Sequence, residues 1–270
     1  VVEGTSLRED VVVTAGHLQA RTGDGGWAQV GYGVDAVTID TGSGSDRIAV
    51  RAIDVPLTLL TGAGDDRVVV GSQAGLGATA TDWPVGDGTL DGIAAALVLD
   101  GGVTGDQTGL DTLIVSDAGD LIGRSGTLSA TMITGLGMAG GITYTGVEAL
   151  VLTLGRGGDD LAVTSTHAGS TAIDLGPGAD TVRFASAGSE LIGIAGEVSL
   201  EGGAGTDAVV LDSTGSADDL AGTIRATSVT GFGMPGVLTH TGAESLTLGL
   251  GSGADRVLVA ATAVPTFVNG

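Results

Sequence analysis

A block of sequence occurs twice, and that repetition limits what the chain can fold into. Residues 111–163 align with 207–259 at a constant offset of 96 without a gap, and 22 of the 53 positions are identical. The shared core reads Gly135-Leu136-Gly137-Met138 against Gly231-Phe232-Gly233-Met234. It continues as Thr143-Tyr144-Thr145-Gly146-Val147-Glu148 against Thr239-His240-Thr241-Gly242-Ala243-Glu244. A partial earlier copy, Val34 to Val50, matches 147–163 at an offset of 113. Gly92-Ile93-Ala94 before Gly101-Gly102 returns as Gly193-Ile194-Ala195 before Gly202-Gly203. Such a period is the mark of an array in which each unit buries its core against the next. The chain therefore reads as one repeat domain over 1–270, with long repeats of about 1–97, 98–197 and an incomplete 198–270.

A shorter rhythm runs inside the long one. The turn Gly-x-Gly-x-Asp ends at Asp46, Asp66, Asp159, Asp180, Asp207 and Asp255, and a stretched version runs from Gly101-Gly102 to Asp111. Neighbouring motif aspartates stand 20 (46 to 66), 21 (159 to 180) and 27 (180 to 207) residues apart. The flanks alternate: Leu246, Leu248 and Leu250 before one turn, Val257 and Val259 after it, with Ile48/Val50 and Leu161/Val163 in the other copies. A period of two means a strand with one buried face. No stretch has a capped 3.6-residue period, and each Gly would cost a helix ~1 kcal/mol. Strand, glycine turn, strand, every 20–27 residues, predicts an all-β fold, a parallel β-solenoid of the β-helix or β-roll kind. A β-sandwich is the competitor, but its loops need not resemble one another.

Composition narrows the function. Gly makes up 51 of 270 residues, about three times the usual ~7%. The formal charge is −22, and all ten basic residues are Arg. That balance argues against nucleic acid or an anionic membrane surface as partner and for cations. The longest apolar run, Ile93 to Leu99, is too short for membrane insertion. The absence of Cys removes disulfides, thiolate metal sites and Cys nucleophiles.

The motif aspartates need an argument of their own. In a stack of coils Asp46 would lie beside Asp66, and Asp159, Asp180 and Asp207 would form a column. Like charges directly opposite destabilise one another. Raised pKa values, nearby Arg, or a bound cation would each relieve the repulsion. Calcium suits the third remedy, since it takes six to eight oxygens from carboxylates and carbonyls. The plainer reading is that each Asp caps its own turn by an Asx-type hydrogen bond, with Arg47, Arg67 and Arg256, each after a motif Asp, balancing the charge.

These turns resemble the glycine-rich, haemolysin-type calcium-binding repeats (the RTX motif G-G-x-G-x-D-x-U-x) of large secreted and cell-surface bacterial proteins. Thr-Gly-Leu-Gly-Met, Gly-Ile-Thr-Tyr-Thr-Gly-Val-Glu and Leu-Asp-Gly-Ile-Ala resemble long repeats of very large bacterial surface proteins of related type. The resemblance covers most of residues 34–259. It implies a calcium-ordered β-roll or β-helix without catalysis in the repeats, located outside the cell or on its surface. By motif position Asp46, Asp66, Asp111, Asp159, Asp180, Asp207 and Asp255 would be the carboxylate ligands. The family motif usually recurs every nine residues, whereas here it comes once per coil, and its first Gly is Thr41, Thr61, Leu154, Leu175 or Leu250 in most copies. One column of calcium sites at most is then expected.

Other constellations support blander readings. His17, His167 and His240 lie in different contexts, and His240, in the place of Tyr144, reads as a half-exposed strand position. Asp65-Asp66, Asp159-Asp160 and Asp218-Asp219 do not converge for acid–base work, because adjacent strand residues face opposite ways. Trp27, Tyr32, Trp83, Tyr144, Phe184, Phe232 and Phe267 are too scattered for a sugar platform, which counts against a carbohydrate-active β-helix. Thr143/Thr145, Thr164/Thr166 and Thr239/Thr241 read as outward strand threonines rather than an ice-binding ladder. Val264-Pro265-Thr266-Phe267-Val268 matches Val55-Pro56-Leu57-Thr58-Leu59, so the array breaks off in mid-repeat. The expectation is a non-enzymatic, calcium-stabilised structural or adhesive module. Its alternative is a filament subunit whose partner is a second copy stacked head to tail.

Overall fold

The computed structural model describes residues 1–76, 86–102 and 109–270. Trp83 and the middle of the stretched Gly101–Asp111 turn lie outside the described residues. Those residues contain no helix and form large, mostly parallel sheets. They divide into two compact units, Val1–Gly119 with Met132–Val151, and Asp120–Thr131 with Leu152–Gly270.

In the first unit the chain passes alternately between two sheets. One holds Val2–Thr5, Val37–Gly42, Leu57–Leu60, Leu97–Asp100 and Ile142–Thr145, all parallel. The register sets Ile39, Leu59, Leu99 and Tyr144 in one inward row, every member at most 2% exposed. The other sheet stacks Glu9–Thr14, Arg47–Val50, Arg67–Val70 and Thr112–Ser116 in parallel. Val11, Ile48, Val68 and Leu113 form its inward row. Each such side chain contributes roughly 1.5–3 kcal/mol by leaving water, so a row in register makes the coils cohere.

This second sheet is apolar on both faces. Val12, Ala49, Val69 and Ile114 point away from the inner rows and are buried under Ala74, with Leu76 packed against them. That cover explains why the strands read Val11-Val12-Val13 and Val68-Val69-Val70 rather than alternating, as strands buried on two sides do. His17–Thr22 and Ala28–Gly31 extend the sheet as an antiparallel meander from Glu9–Thr14.

The second unit repeats the scheme. Ser125–Leu128, Asp160–Val163, Thr181–Phe184, Ala208–Asp212, Ser245–Gly249 and Thr266–Asn269 form one parallel sheet. Ser170–Asp174, Glu197–Glu201 and Val237–Thr241 begin the other. There the chain reverses: Ser228–Gly231 runs antiparallel between Val237–Thr241 and Ala221–Arg225, and Arg256–Val259 resumes the parallel order. The reversal turns on Gly231, Phe232 and Gly233, all with positive φ (86°, 55°, 86°). A bulky residue in that region is rare. The Phe232 ring is fully buried, so packing holds the backbone there.

Two expectations are corrected. His240 is buried, not half exposed, because it faces inward opposite Leu200 as Tyr144 does opposite Leu99. Thr166 is also buried rather than outward, and its hydroxyl accepts the N–H groups of Ala195 and Gly196 at 3.0 and 3.1 Å. Of the inner pairs read from sequence, Ile48/Val50 and Leu161/Val163 are buried, whereas Val259, on the strand at the sheet edge, is 50% exposed.

The turn glycines stack directly. A Cβ added at Gly62 would overlap the carbonyl oxygen of Gly42, and one at Gly64 that of Gly44. Both positions also need positive φ (83° and 136°). Gly64→Ala is therefore expected to lower stability by more than the roughly 1–3 kcal/mol of backbone strain alone, read as a fall in the urea midpoint. An unchanged midpoint would refute the close stacking.

Candidate functional site

The motif aspartates form two ladders, one in each unit. In the first, Asp46 Oδ1 accepts the Glu9 backbone N–H at 2.7 Å, and Asp66 Oδ1 accepts that of Asp46 at 2.7 Å. Asp111 Oδ1 then accepts the Asp66 N–H at 2.9 Å, and Glu148 Oε2 takes the Asp111 N–H at 2.8 Å. In the second unit Asp159 Oδ1 accepts from Arg124 (2.6 Å), Asp180 from Asp159 (2.7 Å) and Asp207 from Asp180 (2.9 Å). Glu244 Oε2 closes that ladder on the Asp207 N–H at 2.6 Å. Asp255 makes the same bond to the Leu220 N–H, at 2.8 Å.

The arrangement follows from the turn. Its sharp bend takes the backbone out of strand geometry, so the N–H before each new strand finds no carbonyl partner in the sheet. A buried N–H must be paired. A short carboxylate one coil further along is placed to accept it, and the glycines let the coils come close enough. The side chains of Asp46, Asp66, Asp111, Asp159, Asp180 and Asp207 are all buried as a result.

The expected stacking is present, but the bonding differs from an Asx turn. The motif Asp reaches to the neighbouring coil, and among the motif residues Asp159 also closes its own turn, through Oδ2 to the Gly155 N–H at 3.0 Å. Asx turns belong to another set: Asp40, Asp100 and Asp174 accept the N–H of Gly42, Gly102 and Gly176 at 2.9–3.0 Å. Asp65 and Asp66 serve opposite neighbours, since Asp65 Oδ1 takes the Leu110 N–H. Asp219 and Asp255 likewise staple two turns reciprocally, through the N–H groups of Ala254 and Leu220. Arg47 does not face Asp46. It lies across the strand and binds Asp10 with Nε and Nη2, both at 2.7 Å, because successive strand residues point to opposite faces.

Charge in the ladders is costly. Burial pushes the Asp46 carboxyl up to about 7 despite the N–H from Glu9, and the Asp66 and Glu9 charges push the same way. Asp66 and Asp111 are likewise raised to about 7, first by burial and then by neighbouring carboxylates. Asp180 is raised to about 6 for the same reasons, and Asp159 and Asp207 also shift upward through burial. Oδ2 of Asp46, Asp66, Asp180 and Asp207 is buried with no hydrogen-bond partner.

The ladder ends were not legible as functional residues. Glu148 and Glu244 supply the closing carboxylates and Glu9 and Arg124 the opening N–H groups, and the one signal was that Glu148 and Glu244 occupy the same place in the long repeat. The chain matches no protein-family model, and no curated protein matches it.

Two outcomes follow for the ladders. A carboxyl whose folded pKa exceeds its ordinary 3.8 stabilises the fold fully below that value, and the contribution is lost as pH rises through the folded value. With Asp46, Asp66 and Asp111 at about 7 and Asp180 at about 6, the melting temperature in chelator should be higher at pH 5 than at pH 8. The reverse order would count against the ladders as drawn. At pH 8, Asp66→Asn keeps an acceptor and removes a charge, so it should match or exceed the parent protein in stability. Asp66→Ala orphans the Asp46 N–H and should cost about 1–3 kcal/mol, measured by urea unfolding of both variants.

Proposed function

We propose that the chain is a non-enzymatic structural module, a parallel β-solenoid serving as a shaft in an extracellular or cell-surface bacterial protein. The observation that carries this reading is the carboxylate ladder. The most regularly repeated polar residue of the sequence is spent on bonding each turn to the next, rather than on presenting groups to a cleft. The passage of each unit back and forth between two sheets, one strand per coil in each sheet at ~4.8 Å spacing, supports the same reading. The resemblance to haemolysin-type repeats supplies the bacterial and extracellular setting. Amide hydrogen exchange tests the architecture within each unit: amides bonded between successive parallel strands should exchange slowly in both sheets, and fast exchange throughout either sheet would overturn it.

Calcium binding is a second reading, favoured by the unpartnered Oδ2 atoms of Asp46, Asp66, Asp180 and Asp207. The fit is partial. The carboxylate Oδ1 atoms are committed to backbone N–H groups, and the turn carbonyls of Gly42 and Ala63 accept from Ala63 and Gly44. Among the described residues no three His, Cys, Asp or Glu side chains come together to hold a metal ion. Calcium wants six to eight oxygens, so the ladders would contribute one carboxylate oxygen per turn and water the remainder. Bound there, the ion would neutralise ladder charge at pH values where the carboxyls ionise. A calcium-induced rise in melting temperature at pH 8 that vanishes with Asp66→Asn and Asp180→Asn together is the expected result. Identical melts in calcium and in chelator would remove calcium from the reading and leave the shaft.

A further inference from the structure

One sheet face of the first unit departs from the acidic character of the chain. The strands Ala28–Gly31, His17–Thr22, Glu9–Thr14 and Arg47–Val50 lie side by side in fixed register. Gln29 stands opposite Gln19, Gln19 opposite Val12, and Val12 opposite Ala49. On the same face Arg21 stands opposite Asp10, and Asp10 opposite Arg47. Side chains two apart on a strand share a face, so His17, Gln19 and Arg21 line up along one strand; Gln29 lies on the next, with Trp27 just before it in the chain.

A groove of about 310 Å³ crosses this face, lined by Val12, Thr14, His17, Gln19, Gln29 and Arg51. Among the described residues no carboxylate lines it. Arg51 is anchored by Nε to the Ala74 carbonyl at 2.7 Å, which fixes its planar head at the groove. Beside the groove, Asp10 is fully buried beneath guanidinium groups: Arg47 and Arg21 bind it at 2.7–2.8 Å and Arg8 lies at 3.6 Å. One carboxylate thus faces three arginines, with Asp24 pairing Arg8 at 3.3 Å on the outside. The Arg21 guanidinium lies 4.9 Å from the centroid of the Trp27 ring, and Trp27 is 46% exposed. Asp54 acts on Tyr32, whose hydroxyl donates to the Thr14 carbonyl, and marks the acidic border on that side.

We propose that this face binds a carboxylate-bearing polysaccharide. Exposed glutamine amides, an imidazole and a fixed guanidinium are donors suited to sugar hydroxyls and carboxylates. Trp27, a single half-exposed indole beside the Arg21 guanidinium rather than one member of an aromatic platform, offers apolar ring surface to one pyranose unit. The extended, regular strand face suits an extended polymer, and the local excess of guanidinium charge selects an acidic one. The proposal deepens the cell-surface reading above and rests on it, yet its readout is independent of stability or shape.

The test is binding of the intact chain to polygalacturonate, with neutral dextran as control. It is run in chelator, so that calcium cannot bridge acidic turns to the polymer, and at about 0.15 M salt, where screening over ~8 Å lets the local patch prevail over the net charge. Retention on polygalacturonate but not dextran, weakened about tenfold or more by Gln19→Glu with Gln29→Glu, is the expected result for a rim charge reversal. Both positions are exposed and face each other across the two strands, so the paired glutamates lower the melting temperature slightly, and an unchanged circular dichroism spectrum at room temperature certifies the fold of the double variant. No retention of the parent chain, or equal retention of the variant, overturns the proposal. So does concentration-dependent association of the parent chain without polymer that the double variant abolishes, since acidic turns of a second copy would then be the occupant.

Discussion

A hydrogen bond from the backbone N–H of one turn to the carboxylate of the next carries the architecture. Sheets satisfy their own amides, but a tight turn between two sheets does not, and a buried orphan amide costs about as much as a lost hydrogen bond. An aspartate at the end of each glycine turn solves that problem once per coil. It introduces a second one, because the same burial that shields the bond disfavours ionised carboxyls stacked upon each other. The raised pKa values of Asp46, Asp66 and Asp111 are the trace of this conflict. Glycine is the enabling residue, since the turns approach closely enough for the bond where no side chain intervenes.

Much of this was legible in the residues. The Gly-x-Gly-x-Asp spacing and the alternating flanks anticipate strands that stack with their aspartates in columns, and the structure has those columns. The partner of each Asp was not legible, because an acceptor for a neighbouring coil and an acceptor for its own turn look identical along one chain. Asx turns are made by residues outside the motif, Asp40, Asp100 and Asp174 before a glycine and Asp120 and Asp212 before Ile122 and Thr214, so no shared pattern marks them. Arg47 follows a motif Asp in sequence but lies across the strand from it. His240 aligns with Tyr144 and shares its burial, so the aligned residue was a better guide than the polarity of the side chain.

Apolar doublets and triplets mark where a sheet is covered twice. Val11-Val12-Val13 and Val68-Val69-Val70 break the alternation of a half-buried strand because Ala74 and Leu76, close after the second run but far along the chain from the first, cover the outer face. Asp10, at the start of one such run, is buried as a charge. Three arginines drawn from 8, 21 and 47 hold it ionised, with a pKa below the usual carboxylate range despite desolvation. Buried carboxyls in one unit are therefore shifted in opposite directions by their surroundings.

The ladder bond has the same form whether 20 residues separate its partners, as for Asp46 and Asp66, or 45, as for Asp66 and Asp111. A rung thus registers which turn lies above which and ignores the contour length between them. Closing a longer loop costs little, about 0.6 kcal/mol for each doubling. A scaffold built this way tolerates insertions of very unequal size between rungs while keeping its axial order, so new segments can be added to its flank without renegotiating the spine.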